Sequence, residues 1–198
     1  MQAELEASEN LAAESEALAA RVAAELAERG ETAALREIYE RSEQEQQRDD
    51  TRVAALHALM RMDPDKAQPI LEKIIRGETK ASLEMRHNAV FILCQGHPGD
   101  GRGVDIVIDV LPDVEEPELV QAMVMCLARS DDPRTFDVLT DVMHRTDDVE
   151  VAQVILMSLG HHGDQRAFDL LADVARDPQK DPELRAHALL GLAQIGDD

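Results

Sequence analysis

The sequence predicts an all-α protein, a solenoid in which antiparallel helix pairs stack as a right-handed superhelix of about five repeats behind an N-terminal capping helix. Similar stretches recur every 32–36 residues, and each holds two amphipathic segments divided by Gly, Asp or Pro. Aromatic residues form only 2% of the chain, which suits helices packed through Ala, Leu and Val. A single helix pair cannot cover its own apolar face, so stacking is required.

The repeat is clearest in the first helix of each pair, where "DPRTFDVLTDV" at 132–142 matches "DQRAFDLLADV" at 164–174. The equivalent core positions expected in the first helices are Leu35, Leu71, Val107, Leu139 and Leu171. Those expected in the second helices are Leu59, Leu93, Leu127, Leu159 and Leu192. The predicted repeat units are residues 30–63, 64–99, 100–131, 132–163 and 164–198.

The first 29 residues differ from the repeats, because they are rich in Ala and Glu and carry an apolar stripe that includes Leu18, Val22 and Leu26. Gly30 is expected to end this helix as its C-cap. The segment is interpreted as a cap or half-repeat, with a coiled-coil arm that dimerises the protein as the alternative. Disorder is the weakest interpretation, since the residues are strong helix formers.

The net charge of −21 disfavours nucleic acid and anionic lipid as partners. No stretch approaches 18 consecutive apolar residues and the N-terminus lacks a basic region, so a cytoplasmic protein without membrane insertion is expected. A signal removed before residue 1 is also compatible with the sequence. Cys94 and Cys126 lie inside apolar helices, which predicts buried thiols in a reducing compartment rather than a disulfide or metal pair.

No catalytic, cofactor-binding or metal-binding motif is present, so the sequence predicts a non-enzyme with no cofactor. It contains neither GxSxG nor a glycine-rich phosphate loop, and "GHPGDGRG" at 96–103 is interpreted as a turn between units. His161 and His162 are adjacent and cannot easily share one ion.

The stretches "DPELRAHALLGLAQIGD" and "DQRAFDLLADVARD" resemble the short bacterial HEAT-like repeats found in phycobilisome lyases, and the resemblance covers residues 30–198. It implies a non-catalytic scaffold for protein–protein interaction. The alternative that it implies is a lyase or chaperone that handles a chromophore or cofactor. Deoxyhypusine hydroxylases, another HEAT-like family, bind iron through His-Glu pairs, and no His-Glu dipeptide occurs here.

Proteins that the chain resembles line a concave groove with their second helices, and this implies a partner-binding surface. The matching positions are His57, His87, Phe91, Gln121, Met125, Gln153, Met157, His187 and Leu190. Methionine is an adaptable side chain at protein-binding surfaces. Packing between helix layers is the alternative role for these residues, and spacing alone does not separate the two.

The first helices carry an acidic strip in two registers, four residues apart on one helix face. Its members are Asp105, Asp109, Asp137, Asp141, Asp169 and Asp173. The strip is interpreted either as a platform for a basic partner or cations, or as the solvated outer face of an acidic protein.

The last helix carries Leu184, Ala188, Leu189, Leu192 and Ile195, and the sequence stops at a Gly-Asp pair like the one that opens an earlier repeat. A terminal repeat normally needs a polar outer face. This end is therefore expected to be a docking surface, for self-association or for a partner, or the cut edge of a longer protein.

Overall fold

The computed structural model describes residues 18, 21–44, 49–95, 101–130, 132–162 and 165–196, and within these ranges the regular elements are all helical. The helices are α1 (21–28), α2 (Thr32–Gln44), α3 (Asp49–Met62), α4 (Pro64–Ile75), α5 (Leu83–Cys94), α6 (Arg102–Val110), α7 (Pro117–Leu127), α8 (Thr135–Arg145), α9 (Val149–His162), α10 (Gln165–Arg176) and α11 (Pro182–Gly196). A 3-10 turn, Leu111–Asp113, follows α6. The predicted all-α class of stacked helix pairs is confirmed.

The chain forms two compact units, Met1–Asp100 and Gly101–Asp198. In the first unit α3 packs against α2, α4 and α5. In the second unit α9 packs against α7, α8, α10 and α11. Each unit thus places second helices side by side, α3 beside α5 in one and α7, α9 and α11 in sequence in the other.

The predicted core registers form the interior of both units. All five first-helix positions, Leu35, Leu71, Val107, Leu139 and Leu171, are fully buried. In the second helices Leu59, Leu93, Leu127 and Leu159 are buried, whereas Leu192 is partly buried. Full burial of one such side chain stabilises the fold by about 1.5–3 kcal/mol.

Short polar side chains and glycines set the helix ends. Ser82 Oγ accepts a hydrogen bond from the amide of Met85 at 3.0 Å, and Asp148 does the same for the amide of Val151 at 2.9 Å. Such caps satisfy amides that the helix leaves unpaired. Gly30 has φ +73°, a conformation that favours glycine, and its amide bonds the carbonyl of Ala27 at the end of α1. The predicted C-cap is confirmed.

Arginines on the second helices satisfy carbonyls at the ends of the first helices. The guanidinium of Arg86 donates to the carbonyl of Ile75 through Nε at 3.0 Å and Nη2 at 2.8 Å. Arg185 donates to the carbonyl of Ala175 through Nε at 3.4 Å. Each arginine lies seven residues before the core leucine of its own helix, so one repeated position closes the helix pair in both units.

Arg52 occupies the same position in α3 but is itself buried. Its guanidinium bonds Asp49 at 3.0 Å and the carbonyl of Lys80 at 3.4 Å, and it lies 5.4 Å from the ring centroid of Tyr39. Asp49 also accepts a hydrogen bond from Ser82. These contacts join α2, α3 and the start of α5 through one charged group.

Helices α9 and α11 approach closely where two glycines meet. A Cβ added to Gly160 would lie 2.8 Å from Cα of Gly191, and a Cβ on Gly191 would lie 3.1 Å from the carbonyl oxygen of Leu156. The first distance is shorter than real side chains show, and the second is tighter than most contacts. This crossing therefore requires glycine at position 160 and favours it at position 191.

The prediction that both cysteines are free thiols is wrong, since Cys94 and Cys126 are disulfide-bonded and no described cysteine is free. The place of a cysteine along a helix does not reveal its bonding state, which depends on how side chains approach in three dimensions. Disulfides persist mainly in oxidising compartments. The inference of a reducing compartment, which rested on free thiols, loses that support.

Candidate functional site

Two methionines in the same register of consecutive second helices are exposed. Met125 on α7 is 61% exposed and Met157 on α9 is 42% exposed, although both helices bury their other apolar faces. Packing between layers does not account for these two side chains. Flexible thioether side chains held at a surface provide an adaptable apolar contact.

The methionines line a groove of about 520 Å³ on the surface of the second unit. Its lining consists of Met125, Ala128, Arg129, Val154, Met157, Ser158 and His161. Ligand pockets typically enclose about 300–1,000 Å³ and are mainly apolar with a few polar groups. We call this surface the α7–α9 groove.

One end of the α7–α9 groove is polar and basic. Arg129 and His161 are exposed, and the guanidinium of Arg129 forms no ion pair or hydrogen bond within the part of the chain that the structure describes. Ser158, another lining residue, is buried, and its hydroxyl has no hydrogen-bond partner in the described residues. This end of the groove therefore presents an exposed guanidinium and an exposed imidazole.

The glutamines of the predicted partner surface lie one turn earlier on the same helices and are engaged. Gln121 donates to Glu150 at 3.5 Å, and Gln153 donates to Glu183 at 3.2 Å. Both bonds join consecutive second helices, α7 to α9 and α9 to α11. The two glutamines contribute to the stacking of these helices and do not line the groove.

The other predicted partner residues lie elsewhere. On α11, Leu190 is 60% exposed and the Nδ1 atom of His187 lies 2.9 Å from the carbonyl oxygen of Glu183. In the first unit Phe91 and His87 are exposed on α5, and the ring of Phe91 meets the ring of His57 edge-on at 6.3 Å. Burial lowers the pKa of His57. None of these residues is among those that line the α7–α9 groove.

The two registers of the acidic strip have different surroundings. Arg134, at the start of α8, forms an ion pair with Asp105, and Arg166 of α10 bonds Asp137 at 3.1 Å, so both arginines reach back to the preceding repeat. Asp169 accepts a hydrogen bond from Gln165 at 2.8 Å. The second register, Asp109, Asp141 and Asp173, is exposed and forms no ion pair among the described residues.

The electrostatics around Arg134 follow from these contacts. Its hydrogen bonds to Asp132 and Asp105 raise the pKa of Arg134, and the same guanidinium lowers the pKa of Asp132. The first register of the strip is thus partly neutralised. Among the described residues, arginines compensate Asp105 and Asp137, whereas Asp169 and the three aspartates of the second register have no ion-pair partner.

The last helix has two faces. Leu184, Leu192 and Ile195 pack against a buried cluster that includes Leu156 and Leu171. Leu189, by contrast, is 58% exposed, and neighbouring Leu190 is exposed with it. The helix therefore uses part of its apolar surface internally and leaves two adjacent leucines accessible.

Sequence reasoning missed Arg129, His161 and Ser158 as groove residues. A signal was present in the sequence. Arg129 follows Met125 by four residues, His161 follows Met157 by four residues, and Arg129 and His161 are 32 residues apart. It also missed the ion pairs between repeats, although Arg134 and Arg166 each lie 29 residues after the aspartate they contact. Spacing shows equivalence between repeats but not which side chains meet.

The described residues include neither a membrane-spanning helix nor a cluster of metal ligands. None of the helices there is long and apolar enough to cross a membrane. No group of three or more His, Cys, Asp or Glu side chains in the described ranges could hold a metal ion. The side chain of His162 lies outside the described residues.

Comparison with known proteins identifies the family but no individual relative. No curated protein and no solved structure matches the chain at a significant level. A family model described as HEAT repeats matches residues 76–159 and 137–198, together more than half of the chain. The matched region contains α5–α11, and with them the α7–α9 groove. The chain belongs to the HEAT repeat family.

Proposed function

We propose that the protein is a non-catalytic scaffold that binds another protein through the α7–α9 groove. The observation that carries the proposal is the exposure of Met125 and Met157 beside a groove on adjacent second helices. HEAT repeats generally serve as protein-interaction scaffolds, which supports the same function.

The physical argument is that exposed apolar area lowers the free energy of binding when a partner covers it. Burial of apolar surface contributes roughly 25 cal/mol per Å², and aromatic and Met side chains are enriched at interfaces. The two methionines are held by helices whose opposite faces are fully packed, so little ordering of the backbone is needed on binding.

The test replaces both methionines by lysine and measures capture of partners from the native lysate. We expect Met125→Lys with Met157→Lys to abolish capture while helicity and melting temperature stay nearly unchanged, because exposed positions tolerate charge. Phe168→Lys is the matched control, since Phe168 is an exposed apolar residue on a first helix, α10. It should retain full capture.

Two results would contradict the proposal. Equal capture by the double variant and by Phe168→Lys would show that the groove is not the binding surface. A shift in absorbance when bilins are added to the purified protein would favour the chromophore-handling alternative instead.

A further inference from the structure

We propose that the α7–α9 groove selects a protein segment that carries large apolar side chains followed, about one helical turn away, by a carboxylate. This inference rests on the proposed function and adds the chemistry of the partner. The inference follows from the order of side chains that line the groove, where Met125 and Met157 come before the basic groups of Arg129 and His161, respectively, in the chain direction.

The apolar part of the groove would receive the apolar side chains. Met125 and Met157 lie on neighbouring helices with Val154 and Ala128 beside them. No Phe, Tyr or Trp of the described residues lines this surface, so the apolar contact is made by flexible thioethers and small aliphatic groups. Such a surface accepts leucine, isoleucine or phenylalanine without demanding one shape.

The basic part of the groove would receive the carboxylate. Arg134 and Arg166, exposed arginines of the same unit, pair with aspartates of the chain, whereas Arg129 has no acceptor in the described residues. In a chain with 41 acidic and 20 basic residues, an arginine with no acidic partner among the described residues can bind an acceptor from another protein. A guanidinium forms strong, directional hydrogen bonds with a carboxylate.

The spacing between the two parts fixes the spacing expected in the partner. Met157 and His161 are four residues apart on α9, and Arg129 lies four residues after Met125, in the turn that directly follows α7. Four residues of helix rise about 6 Å. A partner helix with its apolar and acidic side chains one turn apart therefore places both groups over their sites.

Among the described acidic residues, Asp132 lies three residues after Arg129 and forms an ion pair with Arg134. Glu150 and Glu183 belong to the first turns of α9 and α11, at the end remote from His161, and both accept hydrogen bonds from glutamines. The net charge of the whole chain acts over longer distances and is screened beyond about 8 Å at physiological ionic strength.

The experiment uses two amphipathic helical peptides that differ at a single position. Each carries two leucines one turn apart, followed one turn later by Glu in one peptide and Gln in the other. Binding is followed through the methyl signals of protein labelled with ¹³C at its methionines. Met123 is fully buried on α7 and serves as the internal reference.

We expect both peptides to shift the signals of Met125 and Met157 and to leave that of Met123 in place. The Glu peptide should bind about fivefold more tightly than the Gln peptide at low salt. Arg129→Gln should remove this preference without loss of helicity. Arg176→Gln, which removes an exposed arginine from α10, should preserve it.

The outcomes separate the two proposals. Equal affinity for both peptides, with shifts at Met125 and Met157, would overturn the inference about the carboxylate and leave the binding groove standing. A preference for Glu that survives Arg129→Gln would also overturn it. No shift at either methionine with either peptide would overturn the inference together with the groove on which it rests.

Discussion

Individual arginines in this chain differ in role according to the acceptors that folding places near them. Arg86 and Arg185 satisfy carbonyls at helix ends, whereas Arg134 and Arg166 bind aspartates of the preceding repeat. Arg129, with no described acceptor, borders the α7–α9 groove. The function of a charged residue here depends on its neighbours across the helix interface and not on its residue type.

His57 makes the folding of the first unit sensitive to pH. Burial lowers its pKa from the ordinary value of 6.5, so the unfolded chain binds a proton more readily than the folded chain does. The free energy of unfolding is then highest above pH 6.5 and falls as the pH is lowered toward the folded pKa.

We expect the His57→Gln variant to lose this part of the pH dependence. The measurement is urea-induced unfolding followed by circular dichroism at several pH values on both sides of 6.5. The variant also loses the ring contact with Phe91, so its stability will be lower throughout and the slope is the quantity to compare. Identical slopes in the two proteins would contradict the assignment.

At the scale of whole helices, α7, α9 and α11 have similar patterns but different surroundings. Helix α9 is covered on both sides by second helices, and its neighbours in the second unit include α7 and α11. The crossing of α9 with α11 is close because glycines meet there. Helix α11 keeps Leu189 and Leu190 exposed, so the self-association expected from its apolar residues stays a prediction, testable by light scattering across a concentration series.

Substitutions on the two faces of α11 should have different costs. Leu192→Glu places a charge against the cluster around Leu156 and Leu171, and we expect it to lower the free energy of unfolding by about 2–3 kcal/mol. Leu189→Glu lies on the same helix at an exposed position and should change it by less than about 0.5 kcal/mol. Equal losses in denaturant unfolding would show that both faces are covered.

At the scale of the whole molecule, the net charge of −21 is spread over a surface with few lysines. Part of this charge is compensated locally by arginines that bridge repeats, as at Asp105 and Asp137. The second register of the acidic strip has no such partners among the described residues, so it adds self-repulsion that salt should screen.

We expect Asp141→Asn with Asp173→Asn to stabilise the protein at low salt. Each substitution removes a like-charge pair at i,i+4, which is worth about 0.2–0.5 kcal/mol. The gain should shrink as salt is added, and partner capture should not change. Weakened capture with a flatter salt dependence would instead identify the strip as a platform for a basic partner. Asp137→Asn is the contrasting variant, because it breaks the ion pair with Arg166.

The sequence by itself determined the helical repeat and its core. Leu71 and Leu171 lie one hundred residues apart, yet each occupies the same buried position, because an amphipathic helix pair must bury its apolar stripe against the next pair. Gly30 was also predictable, since its conformation is set locally by the end of one helix. These features depend on periodicity and local backbone chemistry, which a sequence shows directly.

Tertiary structure alone decided which residues of the repeated pattern are accessible and what they contact. Met123 and Met125 are two positions apart on α7, one fully buried and the other largely exposed. Gln121 and Arg129 lie four residues before and after Met125 in the sequence. Gln121 nevertheless bonds a glutamate of α9, whereas Arg129 borders the groove. The spacing of Cys94 and Cys126 along the sequence likewise did not predict that they are disulfide-bonded. Each of these outcomes depends on the approach of side chains from different helices, which no periodicity along the chain encodes.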